Sequence, residues 1–150
     1  MSAFADSSFL FAFYVPRAVS ARAVAKVQGL RESPLISSLV RYEVQQASWF
    51  KVFLGANGHP LGWSEAEAHT TIATFELDIE KGLWAIGRVD WENVVADAER
   101  LALNHTPRHG GRTIDILHLA TAKRLGVTEL LTFDRNQRRM AEAEGLIVSD

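Results

Sequence analysis

Four acidic residues, Asp6, Glu43, Asp115 and Asp134, stand where packing alone does not ask for them. Asp6 and Asp134 each follow a short apolar run that reads as a strand: Ala3-Phe-Ala before the first, Leu130-Leu-Thr-Phe before the second. A parallel sheet brings both to its carboxyl edge, where ligands bind in α/β proteins. Asp115 opens the helix that leads into the strand before Asp134. Glu43 lies a turn into a long helix whose apolar stripe includes Leu39, Val40 and Val44, so it can reach over the same edge. Gathering four carboxylates is repulsive unless cations or protons offset the charge. Hard oxygen donors with no Cys or His among them suit Mg²⁺ or Mn²⁺. Such ions, one or two together, activate a water and stabilise the leaving oxygen of a phosphodiester.

Taken singly, each aspartate is explained as a helix cap and Glu43 as a solvated flank residue. The joint placement carries the reading. Around the four, Thr132 and Arg112 are expected as outer contacts to the carboxylates or to a phosphate. Asn136, two residues after Asp134, either holds a metal-bound water or simply belongs to the first turn of the helix that follows. His118 falls one turn beyond Asp115 on the same helix face, where it either packs or orients a carboxylate or phosphate. Arg135, Arg138 and Arg139 track a phosphate backbone or simply form a solvated face. Trp49, Trp63, Trp84 and Trp91 lie outside the carboxylate segments and read as core or dimer-interface residues.

The elements that must position these groups follow from caps and periodicity. After the thin strand Ala3–Ala5, Asp6-Ser7-Ser8 caps a helix through the apolar run Phe9–Val15 that stops before Pro16. Ser20 is expected to cap a second helix ending near Gly29, and Pro34-Leu-Ile-Ser is a short strand. Ser37 or Ser38 caps a long helix to Leu54, and Gly55–Pro60 is a loop. Ser64 begins a helix to about Lys81, Leu83–Val89 is extended, and Asp90 caps a helix carrying Val94 to Leu103. His105–Gly111, with a proline and two glycines, reads as a polar loop. The helix from Asp115 to Gly126, the run Leu130–Phe133, a helix after Asp134 and the strand Leu146–Val148 complete the chain. Strands alternating with helices indicate a parallel-sheet α/β sandwich.

The 150 residues suit one domain, 1–150, with one core. With 47% hydrophobic and 23% charged residues the composition is that of a soluble protein, and the absence of cysteine excludes disulfides and thiolate zinc sites. A cytoplasmic location is expected, with neither a signal peptide nor a membrane helix, since Phe9–Val15 is too short to span a bilayer. The net charge of −2 hides an uneven distribution. Residues 64–99 hold nine acids against two bases, whereas residues 108–139 hold seven bases against three acids, two of them Asp115 and Asp134. Once a metal takes up that charge, the surroundings are basic and favour a phosphate-bearing substrate.

These residues also resemble a family. Asp6-Ser7-Ser8, Glu43 early in the third helix, and above all Arg112-Thr-Ile-Asp-Ile-Leu-His-Leu-Ala followed by Leu131-Thr-Phe-Asp-Arg-Asn-Gln are similar to the PIN domain of VapC-type toxins from bacterial toxin–antitoxin pairs. The resemblance covers essentially the whole chain and implies a PIN-like three-layer sandwich, a short, mostly parallel sheet flanked by helices. The family's acidic quartet falls on Asp6, Glu43, Asp115 and Asp134, and Ser8 matches a small hydroxyl residue that supports the site. Ser7 replaces the usual threonine. The implied activity is a Mg²⁺- or Mn²⁺-dependent endoribonuclease acting on RNA, inhibited by a small antitoxin protein and often a homodimer. The alternative is a catalytically silent PIN-like module that binds RNA or protein. A phosphatase with an Asp6 nucleophile ranks lower, because Ser8 stands where that chemistry commonly has a second aspartate.

Overall fold

Capping chemistry sets most of the helix starts in the computed structural model, which describes residues 2–150. In chain order the elements are β1 (Ala3–Ala5), α1 (Ser7–Tyr14), α2 (Ser20–Gln28), β2 (Leu35–Ile36), α3 (Ser38–Ala56) and α4 (Glu65–Glu80). They continue with β3 (Ala85–Ile86), α5 (Trp91–His109), α6 (Thr113–Arg124), β4 (Glu129–Leu131), α7 (Arg135–Ala143) and β5 (Ile147–Ser149). Asp6, Ser37, Ser64, Asp90 and Asp134 each accept a backbone N–H from the first turn of the helix that follows. At α4 the cap is reciprocal, Glu67 reaching back to the Ser64 N–H.

Several element ends shift by a few residues from the sequence expectation, and two of the differences have a clear physical reason. Ser20 is the first residue of α2 rather than its cap, a place taken by Val19. The Ser20 hydroxyl accepts from the Arg17 N–H and donates to the Val15 carbonyl, so it closes the turn after Pro16 instead. The expected loop from His105 is largely helical, because α5 continues to His109 with Pro107 inside it. A proline in the last turn breaks the ladder once, just before the helix ends anyway. Gly110, at φ 65°, then terminates it in the left-handed conformation. His105, buried beneath that turn, holds Glu144 of the segment after α7 at 2.6 Å.

All five strands pair in parallel in the order β3-β2-β1-β4-β5. From β1 the chain builds outward through β2 and β3 on one side, then crosses to add β4 and β5 on the other. Right-handed crossovers place α1–α4 on one face of the sheet and α5–α7 on the opposite face. The helices pack in those two groups. Phe4, Phe9, Leu10, Ile36, Phe75, Trp84, Leu119, Leu130, Leu131 and Met140 fill the core. Small Ala3 and Ala5 suffice in β1 because this central strand is covered on both faces. At the α3–α4 turn the backbones of Gly55 and Gly62 cross so closely that a Cβ on Gly62 would lie 2.1 Å from the Gly55 nitrogen. Among the described residues no helix is long and apolar enough to cross a membrane.

Candidate active site

The strand order reverses between β1 and β4, and ligand sites in open α/β sheets lie at such a switch point. Here the two strands pair Ala5 with Leu131, and the Asp6 N–H donates to the Leu131 carbonyl. The loops that leave these strands are therefore neighbours, although some 125 residues separate them in sequence.

Asp6, 2% exposed, uses both oxygens. Its Oδ1 accepts from the Ser8 hydroxyl at 2.7 Å and the Phe9 N–H at 2.9 Å, and its Oδ2 accepts from the Thr132 hydroxyl. Burial drives the Asp6 carboxyl above the ordinary aspartate range, and these bonds with the nearby His118 imidazole only partly counter it. Thr132, fully buried, also accepts the Asp134 N–H at 3.0 Å and lies 3.1 Å from the Ser8 hydroxyl, which in turn accepts the Phe133 N–H. Through Thr132 and Ser8 the two loops are laced into one unit.

Asp134 caps α7 with a single oxygen. Oδ1 accepts the N–H groups of Asn136 and Gln137, each at 2.8 Å, and Oδ2 is left facing the Arg112 guanidinium at 3.6 Å. Asp115, three residues into the start of α6 and nearly buried, accepts the Arg112 backbone N–H at 3.3 Å and the Arg112 Nε at 3.0 Å on Oδ2. Arg112 thus faces two carboxylates, and its charge also acts on a third, Glu43.

Glu43 reaches the cluster from α3, where its Oε2 meets the Nε2 of fully buried His118 at 2.6 Å. Burial opposes the Glu43 charge, but His118, Ser7 and Arg112 together outweigh it and hold the carboxyl below the ordinary range. His118, left open by the sequence between packing and orientation, does both. It stacks obliquely near Phe4 and pins Glu43.

The four acidic residues expected from sequence are therefore linked through two basic groups. His118 faces Glu43 and Asp6, and Arg112 faces Asp115, Asp134 and Glu43. Ser8, Thr132 and Arg112 all touch the carboxylates. Asn136 contributes its backbone N–H to the cap of Asp134. As the side chains lie, no three Asp, Glu or His groups among the described residues form a ready cage for an ion. Each is turned to its own partner. The donors nonetheless suit a hard divalent cation: four carboxylates against one guanidinium and one imidazole, with neutral hydroxyls behind them. The link through Thr132 was not legible as a link, because its two partners come from opposite ends of the chain.

Of the seven bases in residues 108–139, Lys123 pairs with Glu144, Arg124 with Asp97 and Arg138 with Asp150. Arg135 and Arg139 lie exposed on α7, directly after Asp134. Trp84 belongs to the core, whereas Trp49 and Trp91 are partly exposed.

The sequence model of the PIN domain matches residues 3–143. No curated protein matches the chain significantly. Among solved structures, VapC20 of Mycobacterium tuberculosis, described as a sarcin-ricin loop cleaving toxin, is similar with a TM-score of 0.67 at 17% identity, over 97% of this chain and 96% of that one. VapBC-1 of nontypeable Haemophilus influenzae is similar with a TM-score of 0.64 at 15% identity, over 100% of this chain and 98% of its own. FitAcB of Neisseria gonorrhoeae gives 0.63 at 16% identity, over 100% of this chain and 97% of its own. At such identities the likeness is one of fold.

Proposed function

The chain belongs to the PIN domain family, and from that premise we propose that it is a metal-dependent endoribonuclease, the toxin of a type II toxin–antitoxin pair. The observation that carries this reading is the gathering of Asp6, Glu43, Asp115 and Asp134 around Arg112 and His118 at the β1–β4 switch point. These four residues would hold Mg²⁺ or Mn²⁺. When bound, such an ion would supply Lewis acidity for activating a water and would offset charge on the phosphate. The chain's own groups do the positioning. Thr132 and Ser8 fix the Asp6 carboxylate, and His118 fixes that of Glu43. Arg135 and Arg139 offer charge to an RNA backbone, and bases become accessible where the RNA is single-stranded or looped.

The partner reading has its own support. Tyr42, Trp49, Phe50 and Phe53 on α3, with Trp91, Val95 and Leu103 on α5, expose large apolar side chains. Such surface on a small protein marks a protein interface, and a small antitoxin or a second copy of the chain suits it.

The test uses Glu43→Gln, because Glu43 caps no helix and its loss leaves the fold's caps intact. Purified protein with Mn²⁺ is expected to cleave a mixed RNA pool, chelator to stop it, and Glu43→Gln to lower the rate at least about a hundredfold. Equal cleavage by the variant would remove Glu43 from the site. Absence of cleavage by the wild-type protein would favour the silent binding module.

A further inference from the structure

Arg112 raises a question of charge. It stands at the start of α6 with a side chain that is 75% exposed, yet its guanidinium lies among carboxylates. Nε is 3.0 Å from Asp115 Oδ2, while Nη2 is 3.4 Å from Asp115 Oδ1 and 3.6 Å from Asp134 Oδ2. We infer that this guanidinium occupies the cation position of the site, so that a divalent ion enters only as Arg112 leaves. The inference rests on the metal-dependent reading above.

Three features make the exchange workable. The oxygens that Arg112 reaches with Nη2 are those the backbone leaves free. Asp134 spends Oδ1 on the N–H groups of Asn136 and Gln137 and keeps Oδ2, and Asp115 Oδ1 has only the long Nη2 contact. Departure opens no void, because the side chain already lies largely in solvent. Asp115 also stays in place afterwards, since the Arg112 backbone N–H donates to its Oδ2 whatever the side chain does. Once displaced, the guanidinium remains anchored at the rim of the site, where its planar fork suits a phosphate.

Mn²⁺ binding to the RNA-free protein, followed by calorimetry, separates the possibilities. Removing the competitor with Arg112→Gln is expected to tighten Mn²⁺ binding roughly tenfold, a modest gain because the group is exposed and screened. Arg135→Gln removes an equal charge from the next residue after Asp134 and is expected to change affinity by less than about threefold. Free guanidinium at low concentration is expected to weaken Mn²⁺ binding to Arg112→Gln by refilling the vacated place, an effect that a purely structural Arg112 would not produce. Should Arg112→Gln not fold, Arg112→Lys carries the test, with a few-fold gain expected from the weaker fork. Unchanged or weaker binding by the Arg112 variant, or an equal gain from Arg135→Gln, overturns the inference. If no form of the protein, wild type included, binds Mn²⁺, the metal reading itself fails and the inference with it.

Discussion

Asp6→Asn is expected to make the metal-free protein more stable at neutral pH. The substitution removes a charge from a site that is 2% exposed and keeps every hydrogen bond. The amide oxygen takes the place of Oδ1 and accepts from Ser8 and the Phe9 N–H. The amide nitrogen takes the place of Oδ2 and donates to Thr132, whose own proton turns to the Ser8 oxygen 3.1 Å away. What is lost is the penalty of holding a buried carboxylate, on the order of 1–2 kcal/mol. For a chain of this length that raises the melting temperature by roughly 3–6 °C. The effect depends on pH with a definite sign. Because burial places the folded Asp6 carboxyl above its unfolded value, the wild type keeps its full stability in acid and loses some as pH rises through the folded value. Asparagine does not titrate, so the variant's advantage is absent in acid below the ordinary aspartate range and grows toward neutrality. Adding Mn²⁺ reverses the order, stabilising the wild type and leaving the variant nearly unmoved. Differential scanning calorimetry between about pH 3 and 7.5, with and without Mn²⁺, reads all of this. A variant less stable at neutral pH, or an advantage that does not change with pH, would refute the reasoning.

Two further predictions concern the frame rather than the site. Burial works against the Glu144 charge, but Lys123 and His105 outweigh it and hold that carboxyl below the ordinary glutamate range; its contribution is present at neutral pH and lost as pH falls through the lowered folded value. Glu144→Gln is therefore expected to cost about 1 kcal/mol at pH 7 in urea denaturation, shrinking as the solution is acidified, and a loss independent of pH would count against this pairing. Gly62→Ala would drive a Cβ to 2.1 Å from the Gly55 nitrogen and 2.7 Å from the Leu54 carbonyl carbon, backbone atoms that cannot step aside. A loss of about 2–4 kcal/mol is expected in the same denaturation assay, and a variant as stable as the wild type would mean the two turns do not cross.

Which parts of this structure could be read from sequence follows the range of the forces involved. Asp6, Ser37, Ser64, Asp90 and Asp134 all cap where the sequence indicates, since a cap is decided within four residues. Ser20 shows the limit of that logic. A serine before an apolar-periodic stretch reads as a cap, but here its hydroxyl finds better use on the preceding turn. Pro107 misled for a related reason, because a proline signals a break without saying that one turn of helix is still to come. Glu129 is the clearest case of information absent from the local sequence. An acid in a buried central strand contradicts strand chemistry until Lys26 and Ser149 arrive from distant parts of the chain to bind it. Likewise the four carboxylates could be nominated one by one, but that Glu43 would be held by His118, and Asp115 and Asp134 by the same arginine, depends on tertiary placement alone.

The pairing of β1 with β4 has a consequence for the birth of the molecule. Residues 3–5 are synthesised more than a hundred residues before residues 129–131, and each of these strands is the other's neighbour across the switch point. During translation the stretch carrying Asp6 and Glu43 emerges able to pair β1 with β2 on one side only, and the other edge of β1 waits for β4. At about 5–20 residues per second the wait lasts several seconds. Asp6 and Asp134, which leave these two strands, cannot come together until that pairing is made. The sheet order therefore makes the candidate site one of the last features of the fold to form.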